Sequence, residues 1–490
     1  MKKAVFSVMF ISVIAKLLGF IRELVLAYCV GANGISDAYL ISLTIPGTIF
    51  QFVGTGLMTC YVPIFLRTVD EDGKVSGNKY TNSVLTMILI FSTIMIIMVC
   101  LFCNPIVKVF ASGFAGDTLK YAVLFTKINI FSLYFSAFIY VFNALLQSCG
   151  KFEVTAAAAI PNSIIILVSI VLGAKCNILL LPIGSIFAVL AQLCFLIPSV
   201  KRCDFKLQLN MEFKSSSMTA MYNLLFPVII GVSVNEMNVL VDRTIASQVS
   251  EGGISSLTYA YSLVMFVQGI FGQTIAMIYY PSITKCTEKN SDKDLKEVID
   301  EGVRGMLFFL IPIMVGSIVL SRTIVHILYG RGAFTDESVQ QTAQAFTGYA
   351  VGIIGFGIRE IISRVFYSLK NTKIPTRNAI IGMLINIILN LTLSKWLGIR
   401  GLALATSISS IISAFLLLKD AKRMGVYYID EKLVSAIFKM ICFAMIMGAS
   451  IILISNKIIV QTSMLNLVIL ILTGVCVYVG LMYFSRIMKR

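Results

Sequence analysis

The chain has 490 residues, 58% of them apolar and only 13% charged, with 40 Lys and Arg against 24 Asp and Glu. Soluble globular proteins carry about 25% charged residues, so there is too little charge to cover a soluble surface of this size, and the same figures exclude disorder. The composition defines a polytopic membrane protein, and its net charge of +16 reads as basic loops facing anionic lipid, with no nucleic-acid partner expected.

A membrane-spanning helix needs about 20 mostly apolar residues. In chain order such stretches fall near 4–28, 37–64, 80–101, 119–147, 154–173, 178–199, 218–246, 255–282, 303–327, 338–368, 374–396, 400–418, 434–454 and 460–484. The first follows a basic flank but runs on past Lys16, Arg22 and Glu23. It is too long and too charged for a cleaved signal peptide and reads as a retained helix. Pro46, Pro63, Pro161, Pro227 and Pro312 lie inside stretches and predict tilts or kinks.

Sorted by connection, 25 of the 40 Lys and Arg lie on the side of the N-terminus, 8 on the other side and 7 within spans. This bias predicts that both termini are cytoplasmic, which requires an even number of helices and supports fourteen. The longest connection, near 283–302, is expected to form a short amphipathic cytoplasmic helix. No connection can hold a soluble catalytic domain. No nucleophile–base set or phosphate loop appears, so an enzyme is not expected. The 11 cysteines are mostly single thiols in apolar runs. The close pair Cys100 and Cys103 has no second pair and no nearby His, whereas a zinc site takes about four ligands. No transition-metal site is expected. His326, the single histidine, has no partner motif.

The chain repeats itself weakly. Gly34-Ile35-Ser36 recurs as Gly253-Ile254-Ser255, and 144–162 resembles 365–383 at nearly the same offset. Six spans separate each copy from its partner, so the copies share an orientation. The expected fold is all-α, with two parallel six-helix lobes and two further C-terminal helices. The expected bounds are 1–217, 218–425 and 426–490, with a cavity between the lobes.

An ionisable group inside a span costs several kcal/mol unless it is paired or faces water, so each one marks a candidate site. Lys16, Arg22 and Glu23 lie in the first span and Asp37 heads the second. Lys16 and Arg22 are about 9 Å apart along a helix and differ by roughly 120° in azimuth. Both can line a wide cavity and hold an elongated anion such as a diphosphate, or Arg22 can pair locally with Glu23 or Asp37. The seventh span carries Glu236, Asp242 and Arg243, and the tenth carries Arg359, Glu360 and Arg364. Glu360 and Arg364 have the spacing of a helical ion pair. Asn386 and Asn390 share a face of the eleventh span, and Thr406 lies in the twelfth. With Asp242 these make an oxygen-only set suited to a hard monovalent cation. Plain interhelical hydrogen bonding explains the same residues.

KLLGFIRELVLAYCVGANGISDAYLISLTIP, CYVPIF at 60–65, SVNEMNVLVDRTIAS at 233–247, LYGRGAFTDESVQQTAQAF and FYSLKNTKIPT within 328–376, and GIRGLALATSIS at 398–409 closely resemble the MurJ/MviN family. These are lipid II flippases of the MOP exporter superfamily, and the resemblance runs over nearly the whole chain. It implies an alternating-access flippase in the bacterial cytoplasmic membrane, coupled to an ion or to the membrane potential. Such a protein carries an undecaprenyl-diphosphate-linked peptidoglycan precursor from the inner to the outer leaflet.

By the same resemblance Lys16, Arg22 and Asp37 are cavity residues, with Arg243 and Arg359 as compensating charges. A sodium site maps onto Asp242, Asn386, Asn390 and Thr406, with a carbonyl near Leu402. Sodium as coupling ion is the one cofactor implied. The implied partners are the lipid-linked glycan, membrane lipids and the cell-wall synthesis machinery, and the implied state is a monomer. The chain departs from the family's pattern in two places. Gln51 and its neighbours replace a basic pair and glutamate of the second span, and Tyr261-Ser262 replaces an arginine of the eighth. These departures keep open a flippase for another polyprenyl-linked oligosaccharide of capsule or O-antigen type. An ion-coupled multidrug exporter fits less well, because cationic drugs want acidic or aromatic cavities.

Overall fold

The structure is a computed structural model and describes residues 2–289, 291–458 and 463–485. Arg486, Lys489 and Arg490, counted above with the N-terminal side, lie outside the described residues. The described residues are helical with no strand among them, as expected where an apolar surrounding leaves each backbone amide to its own helix.

In chain order the helices are α1 (Lys2–Cys29), α2 (Gly34–Leu101), α3 (Cys103–Phe110), α4 (Gly116–Asn129), α5 (Ser132–Ser148), α6 (Phe152–Ala157), α7 (Ala159–Lys175), α8 (Leu180–Lys201) and α9 (Ser216–Val249). They continue as α10 (Gly253–Val267), a π-helical turn (Gln268–Gln273), α11 (Thr274–Glu288), α12 (Asp292–Val319), α13 (Ser321–Tyr329), α14 (Asp336–Ala350), α15 (Ile353–Ser368), α16 (Lys373–Arg423), α17 (Glu431–Ile458) and α18 (Met464–Phe484).

The long helices α2 and α16 are each two rods. The backbone leaves helical geometry at Gly73 (φ 81°, ψ 173°) and at Gly398 (φ 57°, ψ −135°). A side chain at positive φ would be strained, so glycine makes both corners. Each corner falls between two expected spans. By length and hydropathy alone, eight of the described helices can cross a membrane, or up to ten if each of two bent pairs counts once. The fourteen expected stretches fall mainly on helix, with short non-helical breaks such as 130–131, 320 and 351–352, which is consistent with fourteen spans.

The bent pairs are α4–α5, at 48°, and α14–α15, at 42°. They sit near the offset of the internal repeat. Just past the second break, the Ile353 carbonyl at the start of α15 accepts from Gln268 Nε2 at 2.6 Å. Gln268 opens the π-helical turn and is buried there. A carboxamide thus braces the start of α15 from a neighbouring element. The stretch near 283–302 forms no separate helix. α11 continues to Glu288 and α12 starts at Asp292.

The chain forms two compact units, Met1–Ser255 and Ser256–Arg490. Packing therefore groups α9 with the first unit, where it lies along α2, whereas the repeat divides the chain by topology at 217/218. In the first unit α2 also packs on α4 and α5, α7 on α8 and α1, and α5 on α8. Leu57, Leu85, Leu133, Leu145 and Leu196 belong to its buried core. In the second unit α16 packs on α14 and α15, and α12 on α17.

The turn before α17 is tied to α12. Asp430 caps α17 by accepting from the Leu433 amide at 2.8 Å, and its other oxygen lies 3.5 Å from Lys296 Nζ. That ammonium also sits 3.9 Å from the centre of the Tyr428 ring, and the Tyr427 hydroxyl donates to Asp300 at 2.8 Å. The Leu433 amide first, and then Lys296, hold the Asp430 carboxyl below the usual carboxylate range. A lowered folded pKa stabilises above the ordinary value and loses that effect as pH falls through the lowered one. Asp430→Ala is expected to cost about 1 kcal/mol at pH 7, the usual worth of an N-cap. In thermal unfolding in detergent, the gap to the parent should shrink toward pH 3.

Candidate functional site

The first unit carries an open pocket of about 470 Å³. Its walls come from α1, α2, the α4–α5 bend, α7, α8 and α9. α1 contributes Arg22, and α9 contributes Glu236 and Val239. α2 contributes Thr44, Thr48 and Gln51 beside Pro46 and Phe50. Asn129 stands at the end of α4, and Ser132, Ser136 and Tyr140 follow on α5 at steps of four, on one face. Asn162 and Ile166 come from α7, and Ser185 and Val189 from α8.

Buried polar groups need partners, and the floor of the pocket supplies most of them. The Tyr39 and Ser185 hydroxyls share a hydrogen bond of 2.8 Å. Ser42 donates to the Tyr39 carbonyl at 2.7 Å, and Asn129 Nδ2 donates to Ser42 Oγ, also at 2.7 Å. Asn129 is 1% exposed, and its Oδ1 accepts no hydrogen bond within the structure. The Thr48 hydroxyl donates to the Glu236 carboxylate. Tyr140 stacks on Phe50 with ring centres 5.2 Å apart, and its hydroxyl reaches Gln51 Oε1 at 3.5 Å.

Asp37 lies outside this pocket. It is 1% exposed, and one carboxylate oxygen accepts from the Ser255 amide at 2.7 Å and the Ser255 hydroxyl at 2.6 Å. Beside it the Gly34 amide donates to Glu251 Oε1 at 3.1 Å, and Asn33 caps α2 with its side chain. The repeated Gly-Ile-Ser is thus a joint, the Ser of the second copy holding the acid that follows the first. Lys16 is exposed on α1, and Glu23 is half-buried beside Arg22. Asp242 and Arg243 are half-buried on α9.

In the second unit, Asn390 Nδ2 donates to Asn386 Oδ1 at 2.8 Å and Asn386 Nδ2 to Thr406 Oγ1 at 3.2 Å. The Thr406 hydroxyl reaches the Leu402 carbonyl at 3.3 Å. Four of the expected cation ligands are therefore adjacent; Asp242 belongs to the first unit. Glu360 and Arg364 form an ion pair at 2.8 Å, and Arg359 is exposed on α15. Tyr261, at a position of family departure, packs edge-on against Tyr349. No group of three or more His, Cys, Asp or Glu suited to a metal occurs among the described residues.

Reading for charges finds Arg22 and Glu236 but misses the neutral wall of the pocket. The signal was present in α5, where Ser132, Ser136 and Tyr140 form a polar stripe at steps of four on a mostly apolar helix.

A charged, hydrogen-bonding pocket inside apolar, membrane-crossing helices defines a membrane transporter. The profile of the family described as "Lipid II flippase MurJ" matches residues 26–473. A probable lipid II flippase MurJ of Vibrio cholerae is 29% identical over 446 residues, covering 86% of this chain and 83% of its own. The corresponding protein of Rickettsia prowazekii is 25% identical, with 98% and 97% covered. A solved structure titled as lipid II flippase MurJ in an inward closed conformation superposes with a TM-score of 0.85 at 25% identity, covering 99% of each chain. An inward-facing multidrug resistance MATE family transporter of the MOP superfamily shares the fold at TM-score 0.71 and 12% identity, covering 86% of this chain and 98% of its own. The chain belongs to the lipid II flippase MurJ family, a family of transporters and not of enzymes.

The Asp37 joint carries a prediction. Asp37→Ala leaves the buried Ser255 amide without its acceptor, while the Ser255 hydroxyl keeps the Gly252 carbonyl at 3.1 Å, and should cost about 1–3 kcal/mol. Asp37→Asn, which keeps an accepting oxygen, should cost less. Denaturant unfolding of the purified protein measures both.

Proposed function

We propose that this protein translocates lipid II, an undecaprenyl-diphosphate-linked peptidoglycan precursor, from the inner to the outer leaflet of the bacterial cytoplasmic membrane by alternating access. Family membership over nearly the whole chain supports this reading. The observation that carries it is Arg22, a guanidinium held in a polar pocket within apolar helices. An arginine is always charged and presents a planar fork suited to phosphate oxygens, so Arg22 is the group that engages the diphosphate. Lys16, on the same helix, adds charge for the same anion. The lipid tail stays in the bilayer while the head crosses. The protein acts as a monomer with both termini cytoplasmic and meets the cell-wall synthesis machinery there.

Complementation of a strain depleted of its own lipid II flippase tests this. The parent protein should restore growth. Arg22→Ala should abolish rescue at unchanged membrane levels, and Arg22→Lys should restore part of it. Normal rescue by Arg22→Ala overturns the diphosphate role. Failure of the expressed parent, together with activity on another polyprenyl-linked glycan, favours the oligosaccharide reading that the neutral Gln51 in the pocket permits.

Sodium is the proposed coupling ion. The side chains of Asn386, Asn390 and Thr406 and the Leu402 carbonyl are adjacent, joined by hydrogen bonds from the two amide nitrogens and the hydroxyl, and their hard, neutral oxygens suit a monovalent hard cation. Bound sodium would tie α16 across its corner at Gly398. A ligand that binds only the folded state stabilises by about 2.7 kcal/mol at a hundred times its Kd. The purified protein should therefore melt higher in sodium chloride than in choline chloride. Asn386→Ala and Thr406→Ala should remove the difference, and equal melting of the parent in both salts refutes the site.

A further inference from the structure

We infer that Cys149 and Cys203 form a redox modification site, two thiols that a peroxide oxidises to a disulfide and cellular thiols reduce again. The two sulfurs meet where two helices end. Cys149 is the first residue past α5, and its amide donates to the Leu145 carbonyl at 3.0 Å. Cys203 follows α8, and its amide donates to the Val200 carbonyl at 2.9 Å. Each is followed by a residue at positive φ, Gly150 at 73° and Asp204 at 58°, so both thiols sit on backbone fixed by a helix end. Contacts on either side hold the two ends together. Lys151 Nζ donates to the Ser199 carbonyl at 3.1 Å, and Phe142 packs edge-on against Phe205 with ring centres 5.9 Å apart. Between these contacts the Cys149 and Cys203 thiols hydrogen-bond to each other. A sulfur–sulfur bond is about 2 Å long, so a small side-chain movement closes it.

The surroundings suit the chemistry. Cys149 is exposed and Cys203 half-buried, so an oxidant can reach the pair. The ammonium groups of Lys151 and Lys74 lie near Cys149, and cations favour the thiolate that reacts. Partial burial of its sulfur first, and then Cys203, nevertheless push the Cys149 thiol up, so Cys203 supplies the attacking sulfur. Its thiolate breaks the peroxide O–O bond, becomes a sulfenic acid and releases hydroxide, which recovers the thiol proton as water. The Cys149 sulfur then attacks the Cys203 sulfur, the S–O bond breaks, and a second water leaves with the Cys149 proton. Two thiols thus give two electrons to one peroxide. Both lie on the side where the basic connections collect, and cytoplasmic thiol pools keep such a pair reduced until an oxidant arrives. Cys100 and Cys103, close in sequence, fit less well, because the buried Cys103 thiol already donates to the Val123 carbonyl at 3.4 Å.

The disulfide ties α5 to the stretch that leads from α8 to α9. Residues 204–212 of that stretch already lie on the second rod of α2. Asn78 Nδ2 donates to the Asp204 carbonyl at 3.0 Å, Asn82 Nδ2 to the Lys206 carbonyl at 2.9 Å, and Asn210 Nδ2 to the Lys79 carbonyl at 3.1 Å. Oxidation therefore braces this connection from α5 as well as from α2.

The test treats the full-length protein in nanodiscs with hydrogen peroxide, blocks the remaining thiols with N-ethylmaleimide and identifies linked peptides by mass spectrometry. A link between Cys149 and Cys203 should form, disappear with dithiothreitol and raise the melting temperature by several degrees. Cys149→Ser and Cys203→Ser should each melt as the reduced parent does and lose the rise. Cys149→Ser, which removes the resolving thiol, should leave a sulfenic acid at Cys203 that dimedone captures, whereas Cys203→Ser should leave Cys149 unlabelled. Thiols that both stay free after peroxide, or links of either to other cysteines in its place, overturn the pair. Equal dimedone labelling of the two variants overturns Cys203 as the attacking sulfur, and a link that leaves melting unchanged overturns the brace.

Discussion

A polar group within apolar surroundings must find its partners inside the protein, because the unmet hydrogen bond of a buried group costs more than most packing contacts gain. In the first unit this constraint is sharpest at Asp37. Its carboxylate is almost fully buried and is held by the amide and hydroxyl of Ser255. Holding that one oxygen ties the start of α2 to the start of α10, while α9, which leads into α10, lies along α2. Glu236 on α9 is thereby set among residues of α2, with Thr48 as its donor. The pocket exists because helices far apart in sequence are bound together at their polar positions.

The same rule explains the breaks in the helices. A bend such as that between α14 and α15 interrupts the ladder of backbone hydrogen bonds. Here a buried glutamine on a neighbouring element holds the Ile353 carbonyl at the start of α15. In the first unit the bend between α4 and α5 lies at Asn129 and Ser132, both on the pocket wall. Irregular backbone at depth is tolerated where it lines a cavity, and the bend turns the polar stripe of α5 toward one.

Much of this architecture is legible before any coordinates. Runs of about 20 apolar residues report helices directly, since their length is set by membrane thickness. The corners at Gly73 and Gly398 fall between expected spans, but their positive φ emerges only in the folded chain. Intramembrane charges such as Arg22 and Glu236 stand out because they are rare and costly. The neutral walls of the pocket are not legible in this way. Gln51, Asn129 and Asn162 cost little individually, and each has an ordinary role in helix contacts. Nothing local tells Asn129, which lines the pocket, from Asn378, whose Nδ2 donates to Asp420 at 2.9 Å.

The sequence by itself determined the class of protein, the positions of the helices and the residues that had to be costly to bury. Those properties depend on composition and on local periodicity, which a linear chain displays. Only the tertiary structure decided which polar residues meet. It made Asp37 a joint in place of a cavity wall, grouped α9 with the first unit, and gathered one arginine, one glutamate and a ring of amides and hydroxyls into a single pocket. Such meetings depend on which helix faces turn toward each other. Many pairings of the same helices would satisfy the same apolar pattern, and the buried hydrogen bonds select among them.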